Sequence, residues 1–291
     1  MKPNKYMFHV AGLFVLILLP TGLAYAADAN SGEYQEISGK EFDHRHNSGW
    51  SITLSGGVIL APRFLGDDDY ETSAIPNVTA TYDDLFFASL NGVGFNLINQ
   101  SGLKAGPIAK YNFGRNESDA SPLSISGDPN TDLVGLGDID GSFEVGGFIS
   151  YTYENIQAKI EARQGLGDGH EGMIAEASVT YEDQFNIGKL PVFWALGPKI
   201  IYGDETYNSA FFDVNASQSA ASGLAQYDAG AGLISYGLQG RIVVPVSERS
   251  AVVAFGGVDF LGDELADSSL VLQRGTDVQS LFGFMMTYKL K

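Results

Sequence analysis

Apolar and polar side chains alternate almost without interruption from Ser142 to Tyr181. Apolar residues hold the even positions from Ile156 to Ala162, and polar or charged residues hold the odd positions from Gln157 to Arg163. Because successive side chains of a strand point to opposite faces, this period of two predicts β-strands. Tyr153-Glu154-Asn155 leaves room only for a tight hairpin turn. The pattern fits either a β-sandwich with an apolar core or a barrel whose apolar face meets lipid around a polar lumen.

The beginning of the chain has the organisation of a secretory signal peptide. Lys2 and Lys5 precede an apolar core from Val10 to Leu19, and Ala24-Tyr25-Ala26 forms a small-x-small cleavage motif. A membrane anchor would need about 20 apolar residues, and this core is much shorter. We therefore predict cleavage between Ala26 and Ala27, which exports the mature chain.

The predicted mature chain has two parts, a polar N-terminal segment at 27–48 and a β-barrel at 49–291. The first part contains His44-Arg45-His46, and two histidines at this spacing could bind a metal ion. No third ligand is nearby, and polar termini of this kind are common. We therefore predict neither a metal site nor a cofactor.

Composition narrows the class of protein further. The chain is 44% hydrophobic with 36 glycines, 14 tyrosines and 18 phenylalanines, yet after the signal no apolar run is long enough for a spanning helix. Insertion into a membrane would therefore use strands. The absence of cysteine excludes a small disulfide-stapled scaffold. A net charge of −18 argues against nucleic acid as a partner.

Period-two runs across the whole chain predict eleven strands, and the third of them begins at Phe86-Phe87-Ala88 and is bent at Gly92 and Gly94. Bacterial single-chain barrels have an even number of strands, so one strand is missing from this reading. The sequence offers two places for it, within Gly203–Val214 or before Gly49. We predict twelve strands, within a range of 10 to 14. Short turns alternate with long polar loops, and the turns fall at residues 83–84, 99–102, 153–155 and 247–249.

Several features favour the barrel over the sandwich: the signal peptide, the glycine and aromatic content, and a terminal strand rich in aromatic residues. We therefore predict an all-β fold, a transmembrane antiparallel up-and-down β-barrel with long polar outer loops. In this fold Ile156, Ala158 and Ile160 contact lipid. The charged side chains expected to face the lumen are Lys104, Lys110, Lys159, Glu161, Arg163 and Arg241.

No motif in the chain predicts catalysis. The glycine-rich stretch Gly165–His170 could be read as a phosphate-binding loop, but it joins two strands and no helix follows. His170 has no paired carboxylate or nucleophile that sequence spacing can identify. The acidic loop Gly66–Glu71 lacks the spacing of a calcium loop. We therefore predict a protein that is not an enzyme.

The chain resembles the MipA/OmpV family of outer-membrane proteins, through motifs that together cover nearly the whole mature chain. These motifs are Ala61-Pro62, Gly66-Asp67-Asp68-Asp69-Tyr70, Phe86-Phe87-Ala88-Ser89 with Gly92 and Gly94, Gly106-Pro107, Gly165-Leu166 with His170 and Gly172, Gly197-Pro198, Ala220-Ala221-Ser222-Gly223-Leu224, Tyr227-Asp228-Ala229-Gly230, Leu261-Gly262-Asp263 and Ala266-Asp267-Ser268.

The resemblance implies a barrel in the outer membrane of a Gram-negative bacterium, in contact with lipid and lipopolysaccharide. The name-giving member of the family is a scaffold that interacts with a murein-degrading transglycosylase. The implied partners are therefore a murein lytic transglycosylase and a murein synthase. Two alternatives stay open: a channel for small solutes, and a surface adhesin or antigen that acts through its outer loops. The resemblance implies no catalytic residues.

Overall fold

The protein is described by a computed structural model that covers residues 49–90, 92–117, 123–125 and 131–290. Fourteen strand segments form one antiparallel sheet. The segments are β1 (Trp50–Pro62), β2 (Tyr70–Ala74), β3 (Asn77–Tyr82), β4 (Phe86–Ser89), β5 (Gly92–Phe95), β6 (Ile98–Gln100), β7 (Leu103–Asn112), β8 (Ser142–Tyr153), β9 (Ile156–Leu166), β10 (Met173–Ile187), β11 (Leu190–Gly203), β12 (Gly232–Pro245), β13 (Ser250–Leu261) and β14 (Val278–Lys289).

The sheet closes on itself because β1 pairs with β14, from Thr53 opposite Lys289 to Leu60 opposite Phe282. β2 and β3 follow each other along the same edge of β1, and β5 and β6 follow each other along β7. The fourteen segments therefore form twelve barrel strands. The predicted all-β antiparallel barrel of about twelve strands is confirmed.

The twelfth strand of the barrel lies elsewhere than the sequence predicted. The sequence pattern predicted a single strand from Phe86 onward. In the structure, β4 and β5 are separate antiparallel strands of four residues each. Strands this short hardly register as an alternating run. Gly203–Val214 contains a helix instead of the missing strand, so that prediction was wrong. The other predicted place, before Gly49, lies outside the described residues.

The two ends of the barrel differ in their connections. At one end, here called the turn end, strands are joined by short turns at residues 83–85, 101–102, 154–155, 188–189 and 246–249. At the opposite loop end most of the connections are longer, and two of them, β11–β12 and β13–β14, carry two helices each. These helices are α1 (Glu205–Phe212), α2 (Ala216–Ser222), α3 (Asp263–Ala266) and α4 (Ser269–Arg274). In the part of the chain that the structure describes, no helix has the length and hydropathy to cross a membrane.

The outward face of the barrel wall is apolar, and its inward face is polar. Along β9 the side chains of Ile156 and Ile160 are 47% and 57% exposed, whereas Glu161 and Arg163 are each 1% exposed. A soluble sandwich would bury its isoleucines and expose its charges. The wall of this barrel therefore presents an apolar surface to its surroundings and a polar surface to its lumen.

Two bands of aromatic side chains mark the outer surface of the barrel. Near the turn end, the ring of Trp50 lies 5.2 Å from that of Tyr82 and 5.9 Å from that of Phe86. Near the loop end, Tyr236 stacks on Phe260 with ring centroids 5.7 Å apart. Aromatic girdles at both interfaces are typical of membrane barrels, so the apolar band between them is the lipid-facing zone.

Candidate functional site

Two kinds of side chain fill different sides of the lumen. The first group is apolar and comes from the walls β1, β12, β13 and β14. Its buried members are Ile59, Ala61, Val243, Ala251, Val253, Phe255, Leu281 and Met285. The second group is charged and is concentrated on β7, β8 and β9, with Lys199 of β11 and Arg241 of β12 buried elsewhere on the wall. The lumen therefore holds an apolar cluster against β1, β12, β13 and β14 and an ionic network against β7, β8 and β9.

Glu161 of β9 lies at the centre of the ionic network. Its Oε1 atom lies 2.6 Å from Nζ of Lys110, and its Oε2 atom lies 3.0 Å from Nζ of Lys159. The guanidinium of Arg163 donates a further hydrogen bond to Oε1. Residues 159, 161 and 163 meet because they are two apart on one strand and therefore share the inward face.

Glu144 of β8 extends the network toward the loop end. Its Oε2 atom accepts a hydrogen bond of 2.6 Å from Nε of Arg163, and its Oε1 atom lies 2.9 Å from Nε2 of His170. The side-chain amide of Asn112 donates to the same Oε1 atom at 3.1 Å. One carboxylate thus ties together β7, β9 and the loop after β9.

His170 is fully buried and has a carboxylate partner, Glu144, which sequence spacing did not identify. Its ring packs against Tyr207 of α1 with centroids 4.8 Å apart. A Cβ atom at Gly165 would lie 2.7 Å from its Nδ1 atom, so only glycine leaves room for this ring. Sequence spacing missed the pair because Glu144 lies 26 residues earlier, although Glu144 does fall on the polar face of its strand.

The network carries three cations, Lys110, Lys159 and Arg163, against two carboxylates, Glu144 and Glu161. Buried charges are tolerated when they are paired and hydrogen-bonded, as here, and removing one partner leaves an uncompensated charge. The network therefore holds β7, β8 and β9 in one arrangement. Its paired groups fill this part of the lumen.

A cap of loops packs on the barrel at the loop end, where side chains of α1, α3 and α4 share a buried apolar cluster with Ile174, Ile201 and Ile234 of the strands. The connections β1–β2, β7–β8, β11–β12 and β13–β14 contribute side chains to a second apolar core outside the barrel. Its buried members are Phe64, Leu133, Leu136, Val214, Leu224 and Leu270. Arg274 of α4 fastens three of these loops, because its guanidinium donates to the carbonyls of Asp132 and Ser222. The cap is therefore a packed structure with its own core.

Burial shifts the pKa of Asp67 and of Arg115, two ionisable groups among those of the cap. Asp67 is fully buried, and burial raises its pKa to about 7, against the opposing hydrogen bond from the backbone N–H of Asp69. Burial also lowers the pKa of Arg115 to about 10, and this side chain donates to the carbonyl of Phe211 in α1. Asp67 is therefore the group of the cap whose charge changes near neutral pH.

An open cavity of about 610 Å³ lies at the loop end, between the β9–β10 loop and α1. Asp168, Glu171 and Glu205 line it, and His170 lies at its buried side. Within the described ranges, no group of three or more His, Asp and Glu residues is placed to hold a metal ion. The cavity therefore gives the loop end an acidic depression rather than a chelating site.

The structure brings together four of the six charged residues that the sequence assigns to the lumen: Lys110, Lys159, Glu161 and Arg163. Arg241 lies apart, and its Nη2 atom is 2.5 Å from Oε1 of Glu182 on β10. Lys104 is half-buried on β7, opposite Ser150 of β8. The predicted cleavage residues, Ala26 and Ala27, lie outside the described part of the chain.

Fold and lumen together define a closed antiparallel barrel of the outer-membrane type, with a charged interior and a capped end. Comparison with protein families gives a match at residues 54–290 to the family described as MltA-interacting protein MipA. The chain belongs to this family. The resemblance seen in the sequence motifs is confirmed.

Two curated relatives share part of this chain. The "Putative outer membrane protein YiaT" of Escherichia coli K12 is 30% identical over 113 residues, which is 39% of this chain and 44% of the relative. The protein of the same description from Escherichia coli O157:H7 matches with the same values. The match thus spans less than half the length of these relatives. The protein is an outer-membrane protein, as predicted.

Solved structures to which this chain is similar include the NanC porin, at a TM-score of 0.43 and 11% identity, covering 82% of this chain and 100% of the porin. Neisserial surface protein A matches at a TM-score of 0.27 and 6% identity, covering 84% of this chain and 98% of that protein.

The lengths of the connections orient the barrel in the membrane. Outer-membrane barrels have short periplasmic turns and longer extracellular loops. The turn end therefore faces the periplasm, and the loop end faces outward.

Proposed function

We propose that this protein is a non-enzymatic scaffold that binds murein enzymes, a lytic transglycosylase and a murein synthase, at its turn end. The observation that carries the proposal is the β10–β11 hairpin, which extends beyond the neighbouring strand on the periplasmic side. The family description names an interaction with MltA, and a partner of that kind has to be reached from the periplasm.

The hairpin is longer than its neighbour β9 at the turn end. Pairing of β10 with β9 ends at Tyr181 opposite Ile156, whereas pairing of β10 with β11 continues to Ile187 opposite Leu190. The six further residues, 182–187, extend the strand by roughly 20 Å at about 3.3 Å per residue. The tip therefore projects past the aromatic pair Tyr181 and Trp194, whose rings are 5.6 Å apart.

The projecting tip exposes apolar side chains. Phe185, Ile187 and Leu190 are 48%, 63% and 40% exposed, and they flank the turn at residues 188–189. Beyond the lipid-facing zone, clustered apolar side chains mark interaction sites rather than membrane contacts. The tip of the hairpin is therefore a suitable contact surface for a periplasmic protein.

The opposite end supports binding over conduction. The cap fills the loop end with its own apolar core, and the charged residues of the lumen are paired with each other. A channel for small solutes and an adhesin acting through the loops remain alternatives to the scaffold. The burial of His170 and Glu144 supports a role without catalysis, because a general base has to reach its substrate.

Co-purification tests the proposal. The detergent-solubilised barrel is immobilised and exposed to purified lytic transglycosylase, first as the wild type and then as the double variant Phe185→Ser and Ile187→Ser. We expect the wild type to retain the enzyme and the variant to lose at least ten-fold in affinity. Leu272→Ser is the matched control, because Leu272 is an apolar side chain that is 69% exposed at the loop end. Equal retention by both variants, or none by the wild type, contradicts the proposal.

A further inference from the structure

The tip of the β10–β11 hairpin has a free strand edge on the side of β9. The last pair between β10 and β9 is Tyr181 with Ile156, and one further hydrogen bond of 2.8 Å joins the N–H of Glu182 to the carbonyl of Asn155. Residues 183–187 then pair with β11 alone among the described strands. We call the side of residues 183–187 that faces away from β11 the tip edge.

Gln184 and Asn186 are the residues whose backbone groups face the tip edge. Alternate residues of a strand direct their N–H and C=O groups to the same side, and Glu182 directs its N–H toward β9. The N–H of Gln184 donates to Oδ1 of Asp183 at 2.8 Å, and the hydroxyl of Tyr181 donates to Oδ2 of the same carboxylate at 3.2 Å. A side chain of β10 itself thus supplies the acceptor that a neighbouring strand would supply.

The tip edge is open to solvent and lightly protected. All five residues from 183 to 187 are exposed. An unpaired strand edge is a template for another strand, and proteins commonly protect such edges with proline, lysine or a covering loop. The sequence from 182 to 187 contains neither proline nor lysine. The Asp183 carboxylate guards the N–H of Gln184, but an exposed hydrogen bond of this kind exchanges readily with another acceptor.

The side chains beside the tip edge indicate what kind of segment fits there. Phe185 and Ile187 are two residues apart and therefore share one face of β10, where they are 48% and 63% exposed. An added strand with apolar side chains at alternate positions would pack on both of them. Asp183 and Glu154 place two exposed carboxylates at the end of the edge nearer the barrel. A basic residue of the added strand would pair with them.

We propose that the tip edge binds an extended segment of the periplasmic partner by β-augmentation. The segment lies beside β10 as an added strand and exchanges backbone hydrogen bonds with Gln184 and Asn186. Its carbonyl replaces Oδ1 of Asp183 as the acceptor for the N–H of Gln184, and its alternate apolar side chains cover Phe185 and Ile187. This binding mode rests on the proposed scaffold function, because the segment belongs to the murein enzyme.

Removal of one backbone donor tests this binding mode. Gln184→Pro deletes an N–H of the tip edge, while the ladder to β11 uses the groups of residues 183, 185 and 187. Gln184→Ala is the matched control, because it removes the same side chain and keeps the N–H. Purified lytic transglycosylase is added to the detergent-solubilised protein, and heat-modifiable migration in electrophoresis confirms that each variant is folded. We expect Gln184→Pro to lose at least ten-fold in affinity and Gln184→Ala less than three-fold.

Amide hydrogen exchange, resolved at single residues by mass spectrometry, gives a second readout. With the enzyme bound to the wild type, exchange at Gln184 and Asn186 should slow at least ten-fold, while Phe185, already paired with β11, should change less than three-fold. Equal affinity of the two variants, or bound enzyme without this slowing, overturns β-augmentation and leaves the scaffold function standing. No binding by the wild type overturns both. Slowing at these amides in concentrated protein without enzyme identifies a second copy as the occupant and also overturns the proposal.

Discussion

Replacing Glu161 by Gln tests the ionic network most severely. The side chain is 1% exposed and contacts Lys110, Lys159 and Arg163, so its loss removes a negative charge that all three cations contact. The net charge of the five groups rises from +1 to +2. Two unit charges 4 Å apart interact by about 4 kcal/mol at an effective dielectric constant of 20. Breaking a buried pair costs about 3 to 5 kcal/mol, and we expect Glu161→Gln to lower the free energy of unfolding by that amount.

Guanidinium unfolding of the barrel in lipid vesicles, followed by tryptophan emission, measures this change. Asp69→Asn is the matched control, because its carboxylate also pairs with an arginine, Arg63, but is 61% exposed. The control substitution should lower the free energy of unfolding by at most about 1 kcal/mol. Adding Lys110→Met to Glu161→Gln returns the net charge of the five groups to +1. The double variant should have a free energy of unfolding more than 1 kcal/mol above that of Glu161→Gln alone. A Glu161→Gln variant within 1 kcal/mol of the wild type would refute the network as a stabilising element.

Two further predictions concern the wall and the cap. Ile160→Arg places a charge on the lipid-facing side near the middle of β9 and should cost about 2 to 4 kcal/mol in the same unfolding assay, whereas Ile160→Met should be nearly neutral. The raised pKa of Asp67 means that the unfolded state ionises first, so cap stability should fall as pH rises from about 4 to about 7. Protease digestion of the cap should therefore be faster at pH 8 than at pH 5, and Asp67→Asn should remove this difference; equal rates in the wild type would contradict the prediction.

The barrel itself was predictable because its strands are long and its two faces meet different surroundings. The alternation from Ile156 to Ala162 indicated both the strand and the outward face. The sequence did not predict the β4–β5 hairpin, because strands of four residues are too short to show a clear alternation of apolar and polar side chains. Its glycines suggested a bend within one strand instead. A period of two in the sequence identifies long, regular strands of the barrel. It is least informative where the strands are short or irregular.

The candidate site was predictable only in part. The charged residues of β9 and Lys110 were assigned to the lumen from their parity alone. The partnership of His170 with Glu144 depends on a loop folding back over Gly165, and no local pattern encodes that path. The cap core likewise joins residues from four separate loops, including Leu133 and Leu270. Contacts of this kind depend on closure of the barrel, which brings the loops to one end.

We propose that the loop cap and the paired lumen charges close this barrel, so that it acts by binding. Planar-bilayer recording of the purified wild-type protein shows whether ions pass through the lumen. A conducting porin inserted under the same conditions serves as the control for insertion. The closed barrel predicts that the membrane stays silent over many verified insertions. Reproducible stepwise conductance of the wild type would show an open path through the lumen and contradict the account.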